Sequence, residues 1–233
     1  MKYQNPPILS VLAEVTVSQQ IRLTPIEDLY GDLGDDYPGI PIVSGELSET
    51  LDDEIDDDVV ESVLFRTEDE SRRLQITNDR IALRLGLPYT SWNEVQERLN
   101  TIVEVIEKRG DDLPITQARL IYENAILVPH GADPASYMTI QARPSLGALS
   151  SGFVAIDSTI DDILLETRIM RHARRASGDV MIGLDIEVRV AGETLQLDAN
   201  NTRSIFERLK GIARDAFESS ITDVARGTFN AAQ

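Results

Sequence analysis

Two short stretches hold the residue types that could bind or react. RIMRHARR sets Arg168, Arg171, Arg174 and Arg175 around His172, and it is the one basic cluster of the chain. Guanidinium groups at that density could clamp an anion or an acidic surface through paired hydrogen bonds. The preferred reading is plainer: a strand end whose arginines neutralise carboxylates such as Asp161, Asp162 and Glu166. The second stretch, RLIYENAILV, puts Tyr122 and Asn124 on one face of a strand with Leu120, Ile126 and Val128. A carboxamide on an apolar face must find hydrogen-bond partners. Asn124 is therefore expected to fix strand register or a neighbouring loop, and ligand contact is the lesser reading for it and for Tyr122.

Other chemistries lack the residues they need. The histidines are His130, in the turn-rich VPHGADP, and His172. GALSSG brings Ser150 and Ser151 near glycine but misses the Gly-x-Ser-x-Gly elbow of a nucleophile. No glycine-rich phosphate loop with lysine and no dinucleotide fingerprint occurs. The run LSETLDDEIDDDVVE, Leu47 to Glu61, was compared with a calcium loop beginning at Asp52. Its sixth place is Asp57 where glycine makes the turn, and its twelfth is Val63 where a bidentate glutamate belongs. The run is expected to be solvated, with Glu46–Glu61 exposed and irregular. No catalytic, cofactor-binding or metal-ligating residue is assigned, and no cofactor is expected.

Charge narrows the partners. The chain of 233 residues carries a formal charge of −18, which repels phosphate backbones and argues against nucleic acid. It has no cysteine, so disulfides and thiolate chemistry are absent. Its N-terminal stretch lacks the pattern of a signal peptide, and no apolar run is long enough for a membrane span. A cytoplasmic protein with no membrane contact is expected.

Periodicity supplies the elements that must position these residues. Ile8–Val17 alternates as a half-buried strand. Residues 24–60 lose regular periodicity. Ser62–Arg66 resumes it, and RRLQI and RIALRL read as a hairpin through Thr77, Asn78 and Asp79. Ser91 and Glu94 form a capping box for a helix with the stripe Val95, Leu99, Ile102, Val103 and Ile106, which Gly110 ends. Strands are then expected at Ile115–Val128, Gly152–Asp157, Ile163–Met170 and Asp179–Val190. A last helix buries Ile205, Leu209, Ile212 and Ala216. The fold class is α+β: two pseudo-repeated antiparallel sheet-plus-helix halves, 1–112 with an irregular acidic loop over 24–60 and 113–233, packed as one compact unit.

The NPPIL strand, FRTEDESRRLQITNDRIALRL, RLIYENAI and FESSIT follow one another in an order that resembles a sporadically distributed prokaryotic family of similar length with no activity attached to it. The resemblance implies equivalence of Tyr122 and Asn124 with that family's Tyr-x-Asn, and of Phe217, Ile221 and Thr222 with its C-terminal motif. It also implies a histidine in the last helix, which ERLKGIARDAF lacks. The patchy distribution associates the family with mobile-element or defence genes. The expected function is a non-catalytic protein-interaction or assembly protein. The alternatives are a holdase chaperone resembling the SecB type and an enzyme or nucleic-acid-processing factor built on Arg168–Arg175. A homo-oligomer, a dimer, is expected through a sheet edge or through Phe206, Ile221 and Phe229 of the C-terminal region.

Overall fold

Alternating side chains build the strands as expected. In β1 (Ile8–Val17), Val11, Ala13, Val15 and Val17 are buried, while Leu12, Glu14 and Thr16 on the other face are partly covered. The computed structural model describes residues 3, 5–45, 60–109, 113–139, 152–171, 179–192 and 195–230. After β1 come α1 (Ile26–Leu33), β2 (Ile42–Gly45), β3 (Val60–Arg66), β4 (Arg72–Thr77), β5 (Arg80–Leu85) and α2 (Trp92–Glu107). Then follow β6 (Ile115–Val128), a short 3-10 turn at Pro134–Ser136, β7 (Gly152–Ile160), β8 (Ile163–Arg171), β9 (Val180–Ala191), α3 (Ala199–Ser220) and α4 (Asp223–Asn230).

The strands form one antiparallel nine-stranded sheet in the order β2-β3-β4-β5-β1-β6-β9-β8-β7. The fold is mixed α+β, with a single sheet serving both halves of the chain. In each half the first strand, β1 or β6, lies beside the last, β5 or β9. The chain divides into two compact units, one of Met1–Val11, Leu120–Arg189 and Arg208–Gln233, the other of Leu12–Arg119 and Val190–Glu207.

In the second of these units, α2 begins at Ser91, whose hydroxyl accepts from Glu94 N at 3.3 Å. That is half of the expected capping box. The Glu94 carboxylate does not reach back; it accepts from Thr90 and Arg98, because an arginine one turn on offers a charged donor. The expected stripe of α2 is buried, joined by Trp92 and Val105. Trp92 Nε1 donates to the Glu207 carboxylate at 2.6 Å, which satisfies an indole that would otherwise be buried unpaired.

The stripe of α3 differs from the expectation. Thr202, Ile205, Phe206, Leu209, Ala213, Ala216 and Ser220 are buried, and Ile212 is only partly so. The buried stripe is therefore wider than a single line of residues, as a core-facing helix requires. Phe206 is 1% exposed, Ile221 0% and Phe229 5%. Enclosed side chains cannot make the expected dimer surface, so that surface is not formed by these three. Tyr3 stacks edge-on against Phe217 and Phe229, and its hydroxyl hydrogen-bonds Glu218. Burial and that carboxylate push the Tyr3 phenol up to about 12.

Three elements are not legible in the sequence: α4, beyond the last expected helix, and two within 24–60. The segment 24–60 contains α1, with Leu29 and Leu33 buried, and β2. The acidic run lies outside the described residues except for its end. There Val60 is buried and Glu61 exposed, both in β3, so the run is not irregular throughout. Expected Gly110 also falls outside the described residues. Among the described residues, no helix is long and apolar enough to cross a membrane.

Because Phe206 is enclosed, Phe206→Ala should lower the free energy of unfolding by about 3–5 kcal/mol. Urea denaturation measures this. A loss below about 0.5 kcal/mol, the size of an ordinary surface change, would contradict the burial.

Candidate interaction surface

The free end of the sheet beyond β8 is built from a hairpin. β7 and β8 pair in unbroken register from Gly152↔Arg171 through Ile156↔Thr167 to Ile160↔Ile163. That leaves Asp161 and Asp162 as a two-residue turn. Asp161 adopts φ 54, a left-handed conformation that aspartate tolerates better than most residues. Arg208 at the turn anchors Asp162, with Nη2 3.2 Å from the carboxylate.

β7 is hydrogen-bonded on one side only, being last in the strand order. Every residue from Ala155 to Ile160 is exposed, including Ile156 at 39% and Ile160 at 44%. Natural edge strands are normally blunted by shortness, a bulge, proline or lysine. The opposite edge obeys that rule: β2 has four residues, and its register against β3 shifts between Ser44 and Gly45. β7 has nine residues, no bulge, no proline and no basic residue, and Asp157 is its one charge. This strand is the least protected part of the described sheet.

The residues singled out from sequence lie close to it, though not as one site. Arg168 sits on β8 opposite Ala155 of β7. Its guanidinium donates to Glu166 and lies 4.0 Å from Glu187 of β9. The hydrogen bond to Glu166, with the nearby Glu187 and Asp185 charges, holds the guanidinium pKa above its ordinary value. Of the three carboxylates expected to be neutralised by this cluster, Glu166 pairs with Arg168, and Asp162 is served by Arg208 instead. The side chain of Arg171 and all of His172, Arg174 and Arg175 lie outside the described residues. Asn124 on β6 is buried, and its Nδ2 donates to Leu184 O of β9 at 2.8 Å and to Tyr122 O at 3.3 Å. It thus ties two strands of the first unit. Tyr122 on the same strand is half-buried.

A different group of titratable residues stands in the other unit. Arg98 donates to Asp36 at 2.9 Å and to Glu94 at 3.0 Å, with Arg72 4.0 Å from Glu94. Hydrogen bonding from Thr90, then from Arg98, lowers the Glu94 pKa against the opposing effect of burial. Burial works against the Arg98 charge, and the hydrogen bonds it donates to Asp36 and Glu94 outweigh it, so that pKa is raised. Tyr37, 1% exposed, is pushed well above the ordinary phenol range by burial, and its hydroxyl has no partner among the described residues. Each of these three is displaced away from neutrality. A general acid or base works best with a pKa near the operating pH, so the arrangement suits an ion-pair network fastening α2. A polar cleft of about 610 Å³ nearby is lined by Arg22, Lys108 and Arg109 facing Glu27, Asp28 and Asp32. Its cations and carboxylates balance, and Arg109 is already engaged by Asp32 at 3.9 Å and Pro25 O at 3.3 Å. Among the described residues, no cluster of histidine, aspartate and glutamate could hold a metal ion.

No protein-family model matches the chain, and no curated protein matches it. The exposed residues of this edge, Ala155 to Ile160, carry no motif. The signal the sequence offers is the nine-residue stretch Gly152 to Ile160, free of proline, lysine and arginine and followed by paired aspartates.

The Asn124 site gives a test with a sign. Asn124→Asp would face two carbonyl oxygens from a buried position, so desolvation and repulsion raise the folded-state pKa of the new carboxyl. Above that pKa the variant carries a buried unpaired charge costing roughly 3–5 kcal/mol. As pH falls through the raised pKa, the carboxyl becomes a donor and the deficit relative to the parent shrinks. Urea midpoints of the two proteins from pH 7 to pH 5 measure it. A deficit independent of pH would contradict the placement of Asn124.

Proposed function

We propose that this chain is a non-catalytic protein-interaction or assembly protein whose working surface is the β7 edge. The observation that carries the reading is a nine-residue edge strand with no blunting device. Such a strand offers a row of unpaired N–H and C=O groups to an extended segment of another chain. The backbone bonds supply affinity, and alternate side chains supply selectivity. Here the alternate side chains on one face are Ile156, Ser158 and Ile160.

The partner is a protein. In its simplest form the assembly is a homodimer through this edge, in a cytoplasmic setting consistent with the cysteine-free sequence. The charge of −18 opposes self-association, and β7 itself adds a single carboxylate to that opposition. Membership of the prokaryotic family it resembles is part of the same proposal.

A holdase chaperone is the second reading. Exposed Ile156 and Ile160 beside an open strand would suit a non-native client equally. The enzyme reading built on the arginine cluster has less support, since Arg168 is already occupied by Glu166 and Glu187.

Light scattering over a concentration and salt series tests the reading. The mass should rise from one chain towards two as protein reaches tens of micromolar, and rise further as salt screens repulsion. Ile156→Lys should hold the protein at one chain, while Val43→Lys on β2 should not. A parent that stays at one chain but suppresses aggregation of a denatured client, with Ile156→Lys inactive, selects the holdase. One chain throughout with no such suppression rejects both.

A further inference from the structure

We infer that two copies of this chain pair β7 with β7, antiparallel, with Ile156 on the two-fold axis. This rests on the reading of β7 as the working edge and specifies its occupant and register.

Directly opposed residues on paired strands lie on the same face. A two-fold antiparallel pair must therefore place a residue opposite itself, and the choice of that residue fixes every other pair. With Ile156 on the axis all nine residues of β7 are matched, Gly152 to Ile160 of the partner at the ends. Moving the axis by one residue either way leaves seven matched within the strand. Moving it towards the C-terminus also sets Asp157 against Asp157, a like-charge contact in a chain that is already strongly acidic.

The register centred on Ile156 uses the side chains well. Ile156 meets Ile156, so two exposed apolar side chains cover one another. Ile160 falls opposite Gly152, which has no side chain to crowd it. Asp157 falls opposite Ala155. On the same strand pair, Ala155 is also the neighbour of Arg168 on β8. The methyl group of alanine thus separates Arg168 from the partner's Asp157. Two strand spacings amount to about 9.6 Å, a gap that a long arginine and a short aspartate can close together. Arg168, 42% exposed and set among Glu166, Asp185 and Glu187, would then serve a carboxylate of the other copy.

The contact is small. A strand of this length spans roughly 30 Å, and a strip that long and one strand wide sits at the low end of interface sizes. The dimer is accordingly weak and reversible, and dissociates on dilution.

The absence of native cysteine makes the test clean. Opposed residues in an antiparallel pair lie about 4.5–5.5 Å apart between Cα atoms, within disulfide range. Under mild oxidation, Ile156→Cys should cross-link to a dimer on a non-reducing gel. Ser158→Cys alone should not, because its copies would be about 13 Å apart along the strand. A mixture of Ser158→Cys with Val154→Cys should cross-link between the two variants. Circular dichroism confirms that each variant folds. Arg168→Glu should weaken dimerisation by up to about thirtyfold, because two-fold symmetry makes the exposed ion pair twice.

Dimers by light scattering that are abolished by Ile156→Lys, with no Ile156→Cys cross-link, would overturn the register and leave the edge standing. Cross-linking of Ser158→Cys alone would overturn it in favour of a shifted axis. One chain at every concentration, with no cross-link from any variant, would overturn the second copy as occupant.

Discussion

An open sheet must end somewhere, and each end strand presents backbone donors and acceptors that no neighbour satisfies. Water can serve them, but so can any other extended chain. At β2 the problem is met by shortness and by the register break at Ser44 and Gly45. At β7 no comparable device appears among the described residues, and the strand pairs with β8 in unbroken register over its full length. The high negative charge of the chain is a general defence, since approaching copies repel one another. It is a defence with a gap, because β7 itself carries one carboxylate.

What holds that edge in place lies inward. β8 is fixed to β9 by charge as well as by backbone pairing, through Arg168 and Glu187. β9 is fixed to β6 by Asn124, a buried side chain that reaches the Leu184 carbonyl. The turn joining β7 to β8 is held by Arg208 of α3. Each link uses a polar group with a named partner, and the apolar stripe of α3 supplies the burial that these links cannot. Rigidity of this kind matters for recognition by strand addition, because an edge already held in register loses little freedom when a partner adds to it.

Elements with a strong period could be read from the sequence. β1 and β6 match the expected bounds, and the hairpin of β4 and β5 turns at Asn78 and Asp79 as its residues suggest. α1 escaped because its pattern is short, begins after a proline and buries only Leu29 and Leu33. β7 was expected to end at Asp157, and the structure carries it to Ile160. Paired aspartates are a weaker turn signal than Asn-Gly, and the turn they form needs only Asp161 in the left-handed region. Phe206 was expected at the surface because one helical stripe was counted too narrowly. The edge itself was anticipated only in general terms, since exposure of a strand is a property of sheet order, which no single strand encodes. An amide among apolar neighbours needs partners, and Asn124 has them.

Amide hydrogen exchange read residue by residue across a dilution series is the most direct measure of whether β7 is the working edge. The outward-facing amides of residues 152–160 should exchange fast in dilute protein and slow as concentration rises, while those of Ile42–Gly45 on β2 stay unchanged. Exchange in β7 that is equally fast at every concentration, or protection that develops on β2 instead, would contradict the account.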